Sequence, residues 1–209
     1  MGGRPFLAYL LGFLGQNGIR DVVLCTGYLH SQIEAFCGDG RAWGVQVGYS
    51  CESEPLGTAG ALCAALPLVR SDPVLVLNGD SFVDLPLAEA IAAHAAFAAD
   101  GTVVAVHVDD AGDFGALDMA AAGGISGFRE KGQAVGPAAV NAGVYLFSRR
   151  FMERMAARQG RPLSLERDVL PEEASAGNLR AFVAHGYFLD IGTPERYARA
   201  LVELPEVIR

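Results

Sequence analysis

PVLVLNGD, residues 73–80, decides how the rest of this chain is read. Val74 to Leu77 form an unbroken apolar run between Pro73 and the turn pair Asn78-Gly79. A short run of this kind is a strand buried on both faces, and such strands belong to sheets covered by helices. Working outward, strands are expected over residues 21–26, 45–50 and 102–108, and helices over 5–17, 31–36, 58–66 and 87–99. This alternation predicts an α/β fold with a mostly parallel sheet between helices. After residue 110 the rhythm changes. Strands at 114–119, 124–129 and 138–147 follow one another without long helices, so the sheet should become mixed. Helices return at 149–158, at 165–176 and from Pro194 onward, with short strands at 179–184 and 187–189. No Pro/Ser/Gly-rich linker and no repeat divides the chain, so residues 1–209 read as one domain.

Composition supports a packed core. Hydrophobic residues are 51% and charged residues 19% of 209, a balance that disordered chains do not have. The formal net charge of −8 excludes a nucleic-acid coat or an anionic-membrane binder, since both need basic faces. No apolar run approaches the ~20 residues of a membrane span. Near the start, Phe6, Leu7, Leu10, Leu11, Phe13 and Leu14 are spaced for a buried helix, and Gly12, Gly15 and Gln16 interrupt any leader-like run. Cys25, Cys37, Cys51 and Cys63 contain no C-x-x-C pair. They read as reduced core thiols of a cytoplasmic protein.

Several motifs can carry chemistry. Asp80 stands at the C-terminal end of the 73–78 strand, where open α/β sheets bind ligands, and a carboxylate there suits Mg²⁺. It is equally the residue that a β-turn uses. Glu54-Pro-Leu-Gly-Thr-Ala-Gly60 is a Gly-containing loop that enters a small-residue helix. Free N–H groups at that helix start can meet a polar ligand, or Thr58 can simply cap it. Lys131, in Phe128-Arg-Glu-Lys131, is the only lysine against 15 arginines. A compact ammonium is not equivalent to a guanidinium, and a site needing a point charge would retain it. Asn141 offers a donor and an acceptor that suit a sugar hydroxyl, or a strand-edge turn. Asp190 precedes Thr193-Pro194, an N-cap followed by Pro at the first helical position, and could be a second metal ligand or a turn residue. Glu166 and Asp168, in Ser164-Leu-Glu-Arg-Asp168, open a helix, where acids are expected from the helix dipole alone. His30, His94, His107 and His185 share no metal-ligand spacing.

In this order and spacing, the motifs Gly3-Arg-Pro-Phe-Leu, Glu54-Pro-Leu-Gly-Thr-Ala-Gly-Ala-Leu62, Leu77-Asn-Gly-Asp-Ser-Phe82, Phe114-Gly115, Phe128-Arg-Glu-Lys131, Asn141-Ala-Gly143, Ser164-Leu-Glu166 and Asp190-Ile-Gly-Thr-Pro194 resemble the sugar-1-phosphate nucleotidyltransferases. The resemblance is to the guanylyltransferase branch acting on D-glycero-D-manno-heptose 1-phosphate or mannose 1-phosphate. It implies a Rossmann-like nucleotidyltransferase fold. It also implies transfer of a nucleoside monophosphate, GMP, from the triphosphate to a sugar 1-phosphate with release of pyrophosphate. Asp80 and Asp190 would hold Mg²⁺ and, with Lys131, form the catalytic set. Glu54, Gly57, Thr58, Gly60 and Gly79 would face the nucleotide. Gly115, Glu130, Lys131 and Asn141 would face the sugar phosphate. The partners implied are the two small-molecule substrates. In the family the Gly3-Arg-Pro-Phe-Leu segment follows a first strand and a Gly-rich triphosphate loop, so the resemblance implies a chain lacking that strand. The alternative reading on that ground is a non-catalytic sugar-phosphate or nucleotide-binding relative with a regulatory or scaffolding role.

Overall fold

A computed structural model describes residues 1, 3–158 and 162–208. The helices are α1 (Phe6–Gln16), α2 (His30–Cys37), α3 (Thr58–Ala65), α4 (Leu87–Phe97), α5 (Arg149–Ala156), α6 (Leu170–Ser175) and α7 (Pro194–Val207). The strands are β1 (Asp21–Thr26), β2 (Gln46–Cys51), β3 (Val74–Leu77), β4 (Ser81–Val83), β5 (Gly101–Val108), β6 (Ala116–Met119), β7 (Ile125–Arg129), β8 (Ala138–Phe147), β9 (Leu179–Ala184) and β10 (Phe188–Asp190). A six-stranded sheet runs β7-β6-β8-β5-β9, with β3 also paired to β8. Two small two-stranded sheets, β1-β2 and β10-β4, accompany it.

The α/β class and the mixed sheet between helices are as expected. The strand directions are not. Only β1–β2 and β5–β9 are parallel, and the other pairings are antiparallel. The reason is β8, which runs opposite to β3, β5 and β6. The segments β6 and β7 follow one another without a crossover helix and pair antiparallel, as a short connection between neighbouring strands requires; β8 then lies between β5 and β6, antiparallel to both. The 165–176 helix also divides: residues 165–169 wind as a π-helix before α6 begins. Strand β4 lies between two acidic residues and is too short to register as a run in the sequence.

Period-two alternation sends the central strands to two cores. Val104 and Val106 of β5 and Val140, Ala142, Val144 and Leu146 of β8 pack with α1, α4 and α7. Val103 and Ala105 of β5 and Tyr145 and Phe147 of β8 pack with α3, α5 and α6. Neighbouring residues on one strand therefore feed opposite layers, which fixes the register because a one-residue slip would exchange the cores. Phe147 is fully buried and stacks at 4.5 Å on Phe151 and at 5.5 Å on Tyr145. All four cysteines are free thiols, but only Cys37 is buried; Cys25 and Cys51 are exposed, contrary to the core role read from their apolar surroundings. Among the described residues, no helix is long and apolar enough to cross a membrane.

Phe147 is the aromatic on which the α5 layer rests. Phe147→Ala should lower unfolding stability by about 3–5 kcal/mol in urea titrations, the range for a buried Phe left as a cavity. A loss below ~1 kcal/mol would show that the layer closes without it.

Candidate functional site

The site begins where β8 departs from regular pairing. Ala105 pairs with Asn141 and Val103 with Tyr145, so Val104 alone faces three residues of β8. The excess is accommodated at Gly143, whose φ is +73°. β5 occupies one edge of β8 throughout, so β3 and β6 share the other edge on either side of Gly143. Bulges of this kind re-aim side chains and recur beside active sites. Here Gly143 N–H donates to Asn141 Oδ1 at 3.0 Å, and Gly143 O accepts from Asn78 N at 2.7 Å. A Cβ on Gly143 would lie 2.4 Å from Ser81 Oγ and 3.0 Å from Asn78 Nδ2. The bulge and the Asn78-Gly79-Asp80 turn are thus packed directly on one another.

That turn brings the backbones of the two candidate acidic residues side by side. Strand β10 pairs with β4 so that Asp190 stands opposite Ser81, and Ile191 N–H donates to Asp80 O at 2.8 Å. Residues 110 positions apart in sequence become diagonal neighbours at a strand end. Asp80 is exposed, and its carboxylate has no partner among the described residues. Asp190 is 15% exposed and is held on one side by Arg196 Nη1, at 2.8 and 3.0 Å from its two oxygens. Its Oδ1 also accepts Gly192 N–H at 2.8 Å. Ser81 Oγ is buried against Gly143 and has no hydrogen-bond partner among the described residues. Among the described residues, no three His, Cys, Asp or Glu side chains are grouped to hold a metal. Two carboxylates at a strand end nonetheless fit Mg²⁺, which is bound through one or two carboxylates, phosphate oxygens and water. Asp190 Oδ2 accepts only from Arg196 and retains lone-pair capacity on its other side.

Arg196 extends the site. Its Nη2 pairs with Asp113 at 2.6 Å and its guanidinium lies 4.4 Å over the Phe114 ring. Phe114 leads into Gly115, whose carbonyl accepts Asn141 N–H at 2.9 Å. Gly132 N–H donates to Gly112 O at 2.8 Å, tying the turn after Lys131 to the same loop. Glu130 and Lys131 are exposed, and among the described residues Lys131 has no carboxylate partner. The 112–115 loop is therefore the common link: Asp113 reaches Asp190 through Arg196, Gly112 holds the residue after Lys131, and Gly115 holds Asn141. Arg196 was not legible in the sequence. An Arg three residues after a Thr N-cap is unremarkable until the fold places it on Asp190.

The Glu54–Gly60 loop differs from expectation in its partners. Gly57, at φ +76°, is the N-cap, and the Thr58 side chain does not cap the helix. The N–H groups of Ala59 and Gly60 are not free; they donate to Leu163 O at 2.9 and 3.2 Å. Leu163 N–H returns a bond to Leu56 O at 2.7 Å. A backbone strap thus satisfies the orphan amides that the sequence reading left for a ligand. Glu54 is exposed, with no side-chain partner among the described residues, and Gly79 has open space around it. A cavity of about 430 Å³ between Phe13, Asn17, Phe82, Asp84 and Glu206 contains none of the candidate catalytic, nucleotide-binding, sugar-phosphate-binding or metal residues.

The family model described as nucleotidyl transferase matches residues 1–206. The chain is 35% identical over 204 residues to the mannose-1-phosphate guanylyltransferase of Mycobacterium tuberculosis, covering 97% of this chain and 56% of that protein. It is 32% identical to the D-glycero-alpha-D-manno-heptose 1-phosphate guanylyltransferase of Aneurinibacillus thermoaerophilus, over 98% of this chain and 87% of that one. The chain thus spans little more than half of the mycobacterial relative. The crystal structure of HddC from Yersinia pseudotuberculosis complexed with GMP-PN superposes with a TM-score of 0.86 at 30% identity, over 97% of this chain and 86% of that chain.

If the bulge is held by close packing at Gly143, an added methyl must do more harm there than at an open positive-φ glycine. Gly143→Ala should destabilise by about 2 kcal/mol or more, combining left-handed strain with a clash. Gly177, at φ +74° with nothing within 4 Å, supplies the comparison. Equal losses for Gly143→Ala and Gly177→Ala in chemical denaturation would contradict the packing argument.

Proposed function

The chain belongs to the nucleotidyl transferase family, and on that premise we propose that it transfers GMP from GTP to mannose 1-phosphate or a manno-heptose 1-phosphate. The observation that carries this reading is the convergence of Asp80 and Asp190 at the β4–β10 end, beside a loop network that also bears Lys131 and Asn141. A phosphate oxygen of the sugar phosphate attacks the α-phosphorus. A new P–O bond forms, the bond to the β-phosphate breaks, and pyrophosphate leaves with that electron pair. There is little proton chemistry to perform, so positioning and charge neutralisation dominate.

Lys131, which has no carboxylate partner among the described residues, supplies a point charge to the sugar phosphate. Asn141 is pre-oriented. Its Oδ1 faces Gly143 N–H and its Nδ2 faces Tyr145 Oη at 2.8 Å, which leaves one amide proton and one lone pair for sugar hydroxyls. Glu130 accepts from further hydroxyls, and the Gly115 backbone lies alongside. The Glu54–Gly60 loop and Gly79 border the base and ribose; Gly57 and Gly60 make room for the Leu163 strap, and Gly79, open on its free side, allows close approach of the ligand. Asp80 and Asp190 are the residues that would hold Mg²⁺, which when bound neutralises phosphate charge and orients the triphosphate. Arg196 holds the Asp190 carboxylate in its orientation. Small anionic substrates, free thiols and the absence of membrane-crossing helices among the described residues suit a cytoplasmic setting.

Pyrophosphate release from GTP plus mannose 1-phosphate or a manno-heptose 1-phosphate tests the reading. Asp80→Asn should reduce turnover by about 100-fold or more, the scale of losing one preorganised charge-stabilising group. Product formation as fast as in the parent would remove Asp80 from the reaction. Lys131→Arg retains the charge but alters its shape, and should weaken sugar-phosphate binding by about 1–3 kcal/mol in calorimetric titration. Unchanged affinity would make the lone lysine a surface residue.

A further inference from the structure

Glu166 and Tyr145 lie between the two proposed subsites and belong to neither. The π-helical turn over Leu165–Val169 turns Glu166 inward; such turns cluster at functional sites. Glu166 Oε2 accepts from Thr58 Oγ1 at 2.9 Å and from Ser164 Oγ at 3.3 Å. Thr58 Oγ1 in turn accepts Leu165 N–H at 2.7 Å, so its own proton is directed to Glu166. On the other side, Tyr145 Oη lies 3.5 Å from Glu166 Oε1, a long contact, and accepts from Asn141 Nδ2 at 2.8 Å. Tyr145 is fully buried, so its hydroxyl needs a protein acceptor. Burial first, and the Glu166 charge second, push the phenol well above its ordinary range, while hydrogen bonds from Asn141 and Asn78 partly oppose this.

The phenol therefore stays protonated and the chain has a fixed polarity. Asn141 donates to Tyr145, Tyr145 donates to Glu166, and Thr58 donates to Glu166 from the other end. The Glu166 carboxyl group accepts one hydroxyl on each of its two oxygens. We propose that Glu166 is a positioning residue that, through Tyr145 and Thr58, couples the sugar-binding amide of Asn141 to the nucleotide loop at Gly57-Thr58, so that occupancy of one subsite favours the other. This rests on the assignment of those subsites under the proposed function. The backbone strap from Leu163 to Ala59 and Gly60 runs parallel to it, so the loop and Glu166 move as one unit.

Glu166→Gln and Tyr145→Phe separate the parts. A glutamine at 166 can offer its oxygen to Thr58 but presents an NH₂ group to Tyr145, so the nucleotide end persists while the link breaks. Calorimetry with α,β-methylene GTP and mannose 1-phosphate, each alone and in the presence of the other, reads the coupling. In the parent, each ligand should tighten the other. In both variants that factor should fall toward one, and Tyr145→Phe should weaken mannose 1-phosphate about five- to tenfold, the scale of one hydrogen bond. Nucleotide affinity alone should remain within about twofold in Glu166→Gln. Retention of the parent's coupling factor in both variants overturns the proposal. Hydrogen exchange in the ligand-free proteins gives a separate readout: the amides of residues 57–60 should exchange faster in Glu166→Ala than in the parent. Failure of the parent to bind either ligand would refute the subsite assignment, whereas unchanged exchange at 57–60 would refute the link itself.

Discussion

The bulge of β8 at Gly143 is the constraint on which the rest depends. A ten-residue strand buried on both faces must serve β5 along one edge while dividing the other edge between β3 and β6. It can do so only if its backbone makes room between the two partners, and a positive φ at a residue without Cβ provides that room. The same irregularity sets Asn141 facing its own bulge amide, packs Ser81 and Asn78 against the break, and so locates the turn that carries Asp80. The site is a consequence of how one strand is shared.

Electrostatics follow from that placement. A chain with a net charge of −8 is proposed to take highly anionic substrates, and its global field opposes them. The structure answers this locally. Asp80 has no cation partner among the described residues, while Asp190 is balanced by Arg196, itself steadied by Asp113 and the Phe114 face. Among the described residues Lys131, on an exposed turn, has no carboxylate partner, so its charge is not already offset by the protein. Charges aimed into the site are thus either paired with a protein group or left for a ligand.

Much of this was legible in the sequence. Val74 to Leu77 announced a buried strand, and Asp80 and Asp190 were marked by their positions after strand ends. Thr193-Pro194 opened α7 as an N-cap and first-turn pair, with Thr193 Oγ1 accepting Arg196 N–H. What escaped has identifiable causes. Strand direction does not show in a hydrophobic run: the missing helices after residue 110 announced a mixed sheet, but not that β8 would also pair antiparallel with β3 and β5. The Leu163 carbonyl that caps α3 is a backbone group, invisible in any pattern of side chains. Glu166 had a sufficient local explanation in the helix dipole, and only the spatial approach of Tyr145 and Thr58, 21 and 108 residues distant, gives it a second one. Gly143 was visible within Asn141-Ala-Gly143, but a glycine does not declare which conformation needs it.

The account's central claim is that the end of β4, β8 and β10 is where substrate sits. A crystal structure of the protein with GDP-mannose and Mg²⁺ tests this most directly. The account predicts electron density for the diphosphate and mannose bounded by Asp80, Asp190, Lys131 and Asn141, with the guanosine along the Glu54–Gly60 loop. Density instead in the 430 Å³ cavity between α1 and α7, with those residues unoccupied, would contradict it.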